Sequence, residues 1–216
     1  MNARHYAVLL LPLVLVLSAY WVFTSLSRQF GSEKGYLLGF LYYWMFWCLL
    51  VPFLFLGKRG FASLFVDKIP PLSPPNWLAA FMWAFITLVT IFMYGREFLR
   101  APLILILVAV PAATLNGFCE EILWRGLYTR MFPENIWLAI LFPAVGFALW
   151  HLVPLSVFSD GNKWAFILST FFLGLAYGFI AYRTGSVTWT AISHSLNGIL
   201  ALSGMLAPSI LHWLGR

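Results

Sequence analysis

Charge is what this sequence has least of. Asp, Glu, Lys and Arg make up 9% of its 216 residues, whereas 62% are hydrophobic and the mean hydropathy is +0.88. Soluble domains carry about 25% charged residues, so a water-soluble globule is excluded. Acidic residues number seven, and only Asp67 and Asp160 are aspartates, both in polar breaks between apolar runs. An aspartyl protease working inside a membrane needs two aspartates within its spans, so that chemistry is excluded as well. Cysteine is limited to Cys48 and Cys119, each inside an apolar run, which leaves no disulfide framework. The HExxH zinc motif is absent, and no internal repeat of the kind that builds secondary transporters stands out.

What the sequence has instead is length in apolar runs. Seven spanning segments are read: Tyr6–Leu26, Tyr36–Leu56, Trp77–Tyr94, Pro102 to about Arg130, Asn135–Val153, Trp164–Tyr182 and Val187–Leu206. The expected fold class is all-α, a polytopic transmembrane helical bundle of about seven spanning helices. The breaks carry charge, Gly or Pro, and the four prolines of Pro70–Pro75 mark the one obvious linker. Residues 1–76 therefore form two leading helices and the linker, and residues 77–216 the bundle. The first apolar run begins like a signal peptide. It continues to Leu26 without a small-x-small cleavage site, so an uncleaved first span is expected.

The formal charge of +6 reads as loop charges facing lipid headgroups rather than as a nucleic-acid surface. With the N-terminus inside, the cytoplasmic side collects Arg4, Lys58, Arg59, Lys68, Arg125, Arg130 and Arg183. The other side collects Arg28, Lys34, Arg96, Arg100, Lys163 and Arg216. Seven against six leans only slightly toward that orientation.

Ionisable groups within spans are costly and mark pathways or reactive sites. Here they are few: Glu120, Glu121, Arg125, His151 and His194, with Asn116 and Asn197 as polar neighbours. Glu121 and Arg125 stand four apart, acid first, the favourable order for a helical ion pair. Glu120 is turned about 100° from Glu121 and shares a face with Asn116 and Trp124. In "FALWH", Phe147 and His151 share a face, and in "SHSLNG" His194 and Asn197 do. Counted from the polar ends near Arg130 and Gly185, Glu120 and His194 both lie about 15 Å deep; His151, about 24 Å from Asn135, meets them only if Pro143 or a tilt shortens its path. One carboxylate, two imidazoles and an amide at comparable depth suit hydrolysis. The same residues read singly are packing glue between helices. Ser195 adjoins His194 but points about 100° away, which argues against a serine nucleophile.

Three of these stretches resemble, in order, the motifs of the CAAX protease and bacteriocin-processing (CPBP or Abi) intramembrane peptidases. "EEILWR" fits EExxxR, "FALWH" fits FxxxH, and "HSLNG" is similar to the third motif, over about residues 102–204. That motif usually has its asparagine four residues after the histidine, where this chain has Gly198; Asn197 stands at plus three. The resemblance implies an intramembrane endopeptidase, of glutamate or metalloprotease type, acting on a membrane-associated or prenylated peptide or protein. It implies catalytic roles for Glu120, His151, His194 and Asn197, with Glu121, Arg125 and Phe147 positioning them. If a metal takes part, Glu120, His151 and His194 would be the ligands of Zn²⁺. The expected location is the plasma membrane, with the site open to the cytoplasmic side. A non-catalytic immunity or scaffold protein of the same fold, or a small proton-linked transporter, is the alternative.

Overall fold

A chain crossing lipid must satisfy its own backbone hydrogen bonds, and a helix does so within one segment. The computed structural model describes residues 1–70, 72–158 and 161–215, and among these the regular elements are all helical. Pro71 of the linker, Asp160 and Arg216 lie outside the described residues.

Helix α1 (Ala3–Phe30) runs from a first face of the bundle to a second. Its buried residues Val8, Pro12, Leu15, Ala19 and Phe23 recur at helical spacing, while Leu10, Leu13, Leu17 and Trp21 point outward, as a lipid-facing stripe requires. The chain returns through α2 (Ser32–Tyr42), a π-helical segment Tyr43–Leu50, and α3 (Val51–Ala62). The proline linker follows, and α4 (Trp77–Arg100) crosses again. Helix α5 (Leu103–Glu121) comes back and continues through a second π-helical segment, Ile122–Leu127, into α6 (Tyr128–Met131). A third, Trp137–Leu141, leads into α7 (Phe142–Trp150), which breaks at His151 into the short α8 (Leu152–Val157). Helix α9 (Lys163–Thr184) returns to the first face.

Among the described residues six helices are thus long and apolar enough to cross a membrane, and the protein is an integral membrane protein. The seventh expected segment is helical but divided. Helix α10 (Thr188–Leu200) reaches only about 20 Å at 1.5 Å per residue. A turn at residues 201–205, with Leu202 and Ser203 at positive φ, then leads into α11 (Leu206–Trp213).

Close approach decides how α10 packs on α5. A Cβ on Gly117 would come within 2.6 Å of the Ser195 hydroxyl, and one on Gly198 within 2.9 Å of the Ala113 Cβ. Small residues at such crossings let two membrane helices touch along their backbones. The linker is pinned to the far end of α9. The Lys68 amide donates to the Thr184 carbonyl at 2.8 Å, and Arg183 donates to the Asn76 side chain and the Pro75 carbonyl.

Candidate active site

Glu120 and Glu121 leave α5 just before its π-helical turn, and both are buried, at 1% and 0% exposure. Being adjacent on a helix, they face different partners. Glu121 takes the ionic ones: Arg125 Nη1 lies 2.9 Å from its Oε1, and His194 Nδ1 lies 2.9 Å from the same oxygen. The i,i+4 pair expected from spacing is therefore present, and it extends to a histidine on another helix.

Glu120 is held by neutral donors. The indole of Trp150 donates to its Oε1 at 3.0 Å, and the amide of Asn116 donates to its Oε2 at 3.1 Å. His194 Nε2 stands 3.4 Å from that Oε2. One imidazole thus spans the two carboxylates, with one ring nitrogen on each. Trp150, the residue before His151 in "FALWH", was not legible as a partner, because an indole in an apolar helix reads as packing.

His151 occupies the break between α7 and α8, where its Nδ1 lies 2.7 Å from the Phe147 carbonyl oxygen. An N–H at Nδ1 donating to that carbonyl leaves Nε2 as the free ring nitrogen. The depth mismatch read from the sequence does not keep His151 apart: it lines the same cavity as Glu120 and His194. Phe147 lies between these groups. Its ring meets His151 edge-on at 4.6 Å and His194 at 6.0 Å, and it carries the Arg125 guanidinium 4.3 Å from its centroid.

Asn197 is placed differently from its three companions. Its amide donates to the Tyr177 hydroxyl at 2.6 Å, and its Oδ1 is buried without a partner among the described residues. No hydrogen bond joins it to Glu120 or to either catalytic-candidate histidine among those residues. Position 198, one step on, is filled by the contact with Ala113. A Cβ there would crowd the Ala113 Cβ, so Gly198→Asn is expected to strain the α10–α5 contact by about 1–3 kcal/mol. Thermal unfolding in detergent checks this. Adding Ala113→Gly removes the collision and should recover most of the loss; no recovery would mean that the strain lies elsewhere.

Glu120, His151, His194 and Asn197 all line one cavity of about 500 Å³. It runs from mid-bundle, past Tyr36, Thr90, Tyr94 and Thr170, to Phe158 and Asn162 at the second face. Arg4, Arg130 and Arg183 belong to the first face. With the N-terminus inside, this cavity runs toward the outer side; with the cavity toward the cytoplasm, the N-terminus is outside. The two expectations of orientation exclude each other in this fold. Arg125, counted among the cytoplasmic charges, is buried in the ion pair, which removes it from the loop tally.

The zinc expectation does not fit this geometry. Among the described residues no three His, Cys, Asp or Glu side chains are grouped to hold a metal ion. His194 already directs a nitrogen at each glutamate, and Nδ1 of His151 is taken by a carbonyl.

Residues 99–200 match the family described as type II CAAX prenyl endopeptidase Rce1-like, which bears out the resemblance read from the three motifs. The match contains Glu120, His151, His194 and Asn197 and leaves out α1 to α3. No curated protein and no solved structure matches the chain.

Proposed function

We propose that this chain, which belongs through residues 99–200 to the Rce1-like CAAX prenyl endopeptidase family, hydrolyses a peptide bond of a membrane-associated substrate with a water activated by Glu120. The observation that carries the reading is a carboxylate buried to 1% that nonetheless lines a cavity with two histidines. A buried carboxylate held by neutral donors, whose one ionisable neighbour His194 is shared with Glu121, is costly to keep, and a reaction at that oxygen accounts for it.

In this reading Glu120 takes a proton from water as the water oxygen attacks the carbonyl carbon of the scissile bond. Nε2 of His151 bonds the same water. His194 faces the oxygen on which charge develops and donates to it from Nε2. Collapse of the tetrahedral species breaks the C–N bond, and Glu120 returns its proton to the leaving amine. Glu121 and Arg125 act as positioning residues, fixing the ring of His194 through Nδ1. Asn197 stabilises the oxyanion only after its amide leaves Tyr177 on substrate entry. Cleavage is expected to persist after exhaustive chelation and removal of bound metal. Loss of cleavage that returns with added Zn²⁺ would reverse that expectation.

The proposed substrate is a peptide or protein at the plasma membrane, prenylated near its cleavage site, reaching the cavity from the cytoplasmic side. That sidedness places Arg4 outside. Nucleic acid has no part in it. The test is a cleavage assay in liposomes on lipidated and bare peptides, comparing wild type with Glu120→Ala. Cleavage by wild type alone supports the reading, and equal cleavage by both ends it. One observation favours the non-catalytic alternative: the engagement of Asn197 by Tyr177 together with glycine at position 198. A wild-type protein inert on every peptide in the panel would favour that alternative.

A further inference from the structure

The family match begins at residue 99, yet the carboxylate of Glu120 is surrounded by groups from far earlier in the chain. The π-helical segment Tyr43–Leu50 faces the one that follows Glu121. A π turn re-aims side chains out of α-helical register and often marks a functional position. Here it presents two consecutive aromatic residues, Tyr43 and Trp44, both buried, to the neighbourhood of Glu120.

Each of them holds one of the two neutral donors to that carboxylate. Trp44 Nε1 donates to Asn116 Oδ1 at 2.9 Å. An indole N–H can only donate, so the oxygen of Asn116 must face Trp44 and its NH₂ must face Glu120 Oε2. Tyr43 stacks on Trp150, with ring centroids 3.7 Å apart and planes 18° from parallel, and Trp150 is the donor to Oε1. The Tyr43 hydroxyl also accepts from Trp124 Nε1 at 2.8 Å. Asn116 on α5 and Trp124 in the π-helical segment after it stand four positions before and after Glu120, so Tyr43 and Trp44 grip this span on both sides of the residue.

We infer that Tyr43 and Trp44 are positioning residues, which fix the Glu120 carboxylate by orienting its two donors, Trp150 and Asn116. The inference rests on the peptidase reading for its role in catalysis, and on the hydrogen bonds and stacking alone for the clamp itself. It assigns to the second span, outside the matched segment, a part in the reaction. A displaced carboxylate loses rate rather than substrate affinity, and a misplacement of about 1 Å can cost about 100-fold.

The test uses the full chain in liposomes. Asn116→Leu keeps the side-chain shape without its polar atoms and is expected to lower kcat about 100-fold with KM changed less than about twofold. Trp44→Phe, which deletes the N–H, is expected to lower kcat about tenfold, again with KM held. The double variant is expected to be no slower than Asn116→Leu alone, because Trp44 acts only through Asn116. Losses that multiply in the double variant, or an unaltered kcat in Trp44→Phe, overturn the inference. A second readout does not depend on cleavage. The indole N–H resonance of Trp44, assigned by its absence in Trp44→Phe, should shift in Glu120→Gln, because hydrogen-bonded chains polarise one another. An unmoved resonance overturns the clamp even if the protein proves not to be a peptidase. A shifted one supports it even if every peptide goes uncut.

Discussion

Glu120→Gln is expected to lower cleavage by about 100- to 10,000-fold, the range a general base supplies, while the protein still folds. The substitution keeps the shape of the side chain and removes its charge. It also creates a conflict that the hydrogen bonds around it define. Oε1 accepts from Trp150 and Oε2 from Asn116, and neither partner can turn around. An indole has no acceptor, and the oxygen of Asn116 is held by Trp44. Whichever way the new amide points, its NH₂ meets a donor. One unsatisfied buried group costs about 1–3 kcal/mol, so a lower thermal midpoint should accompany the loss of rate. Glu120→Ala removes the acceptor altogether and should be at least as inactive. The measurement is initial rate on a cleavable peptide beside a melting curve in the same detergent. Wild-type rates in Glu120→Gln would remove this residue from the reaction.

Removing one partner of the Glu121–Arg125 pair should have the largest effect on stability. Both side chains are buried, at 0% and 2% exposure. Breaking such a pair leaves an uncompensated buried charge and costs about 3–5 kcal/mol, whereas replacing both partners by apolar residues of similar size is often neutral. Glu121→Ala and Arg125→Ala are therefore each expected to unfold well below wild type. The double replacement Glu121→Leu with Arg125→Met is expected to regain most of that stability. It should not regain activity, because Nδ1 of His194 has then lost the carboxylate that orients it. Unfolding midpoints and cleavage rates on the same three variants separate the two effects. A double variant that cleaves at the wild-type rate would show that Glu121 serves the scaffold alone.

The parts of this site that could be read in the sequence are those set by short spacings. Glu121 and Arg125 stand four positions apart, as do Phe147 and His151, and a helix brings such pairs together wherever it lies. Charge scarcity made the polar residues in the spans conspicuous, and three motifs in order gave the family. What the sequence did not disclose depends on pairings across helices. His194 lies 73 positions from Glu121, and no periodicity says which glutamate an imidazole will meet; it meets both. Asn197 follows helical spacing onto the face of His194, but Tyr177, 20 positions earlier, takes its amide. Tyr43 and Trp44 sit in a run of aromatic residues where every side chain looks equally apolar. Only their contacts with Asn116, Trp124 and Trp150 distinguish those two from their neighbours. The division of the last segment into α10 and α11 follows from backbone at positive φ in Leu202 and Ser203, residue types that do not signal such a conformation beforehand.

The pinning of the proline linker has a mechanical consequence for α4. Its early part is anchored: Asn76 and Pro75 are tied to Arg183, and the Trp83 indole donates to the Trp189 carbonyl at 2.8 Å. Beyond Thr90 the helix turns bulky residues such as Phe92 and Leu99 outward, at 90% and 84% exposure, and its cross-bundle hydrogen bonds among the described residues all lie before that point. Tyr94, at the cavity wall, therefore lies on the half of this span that no side-chain hydrogen bond ties to another helix among the described residues.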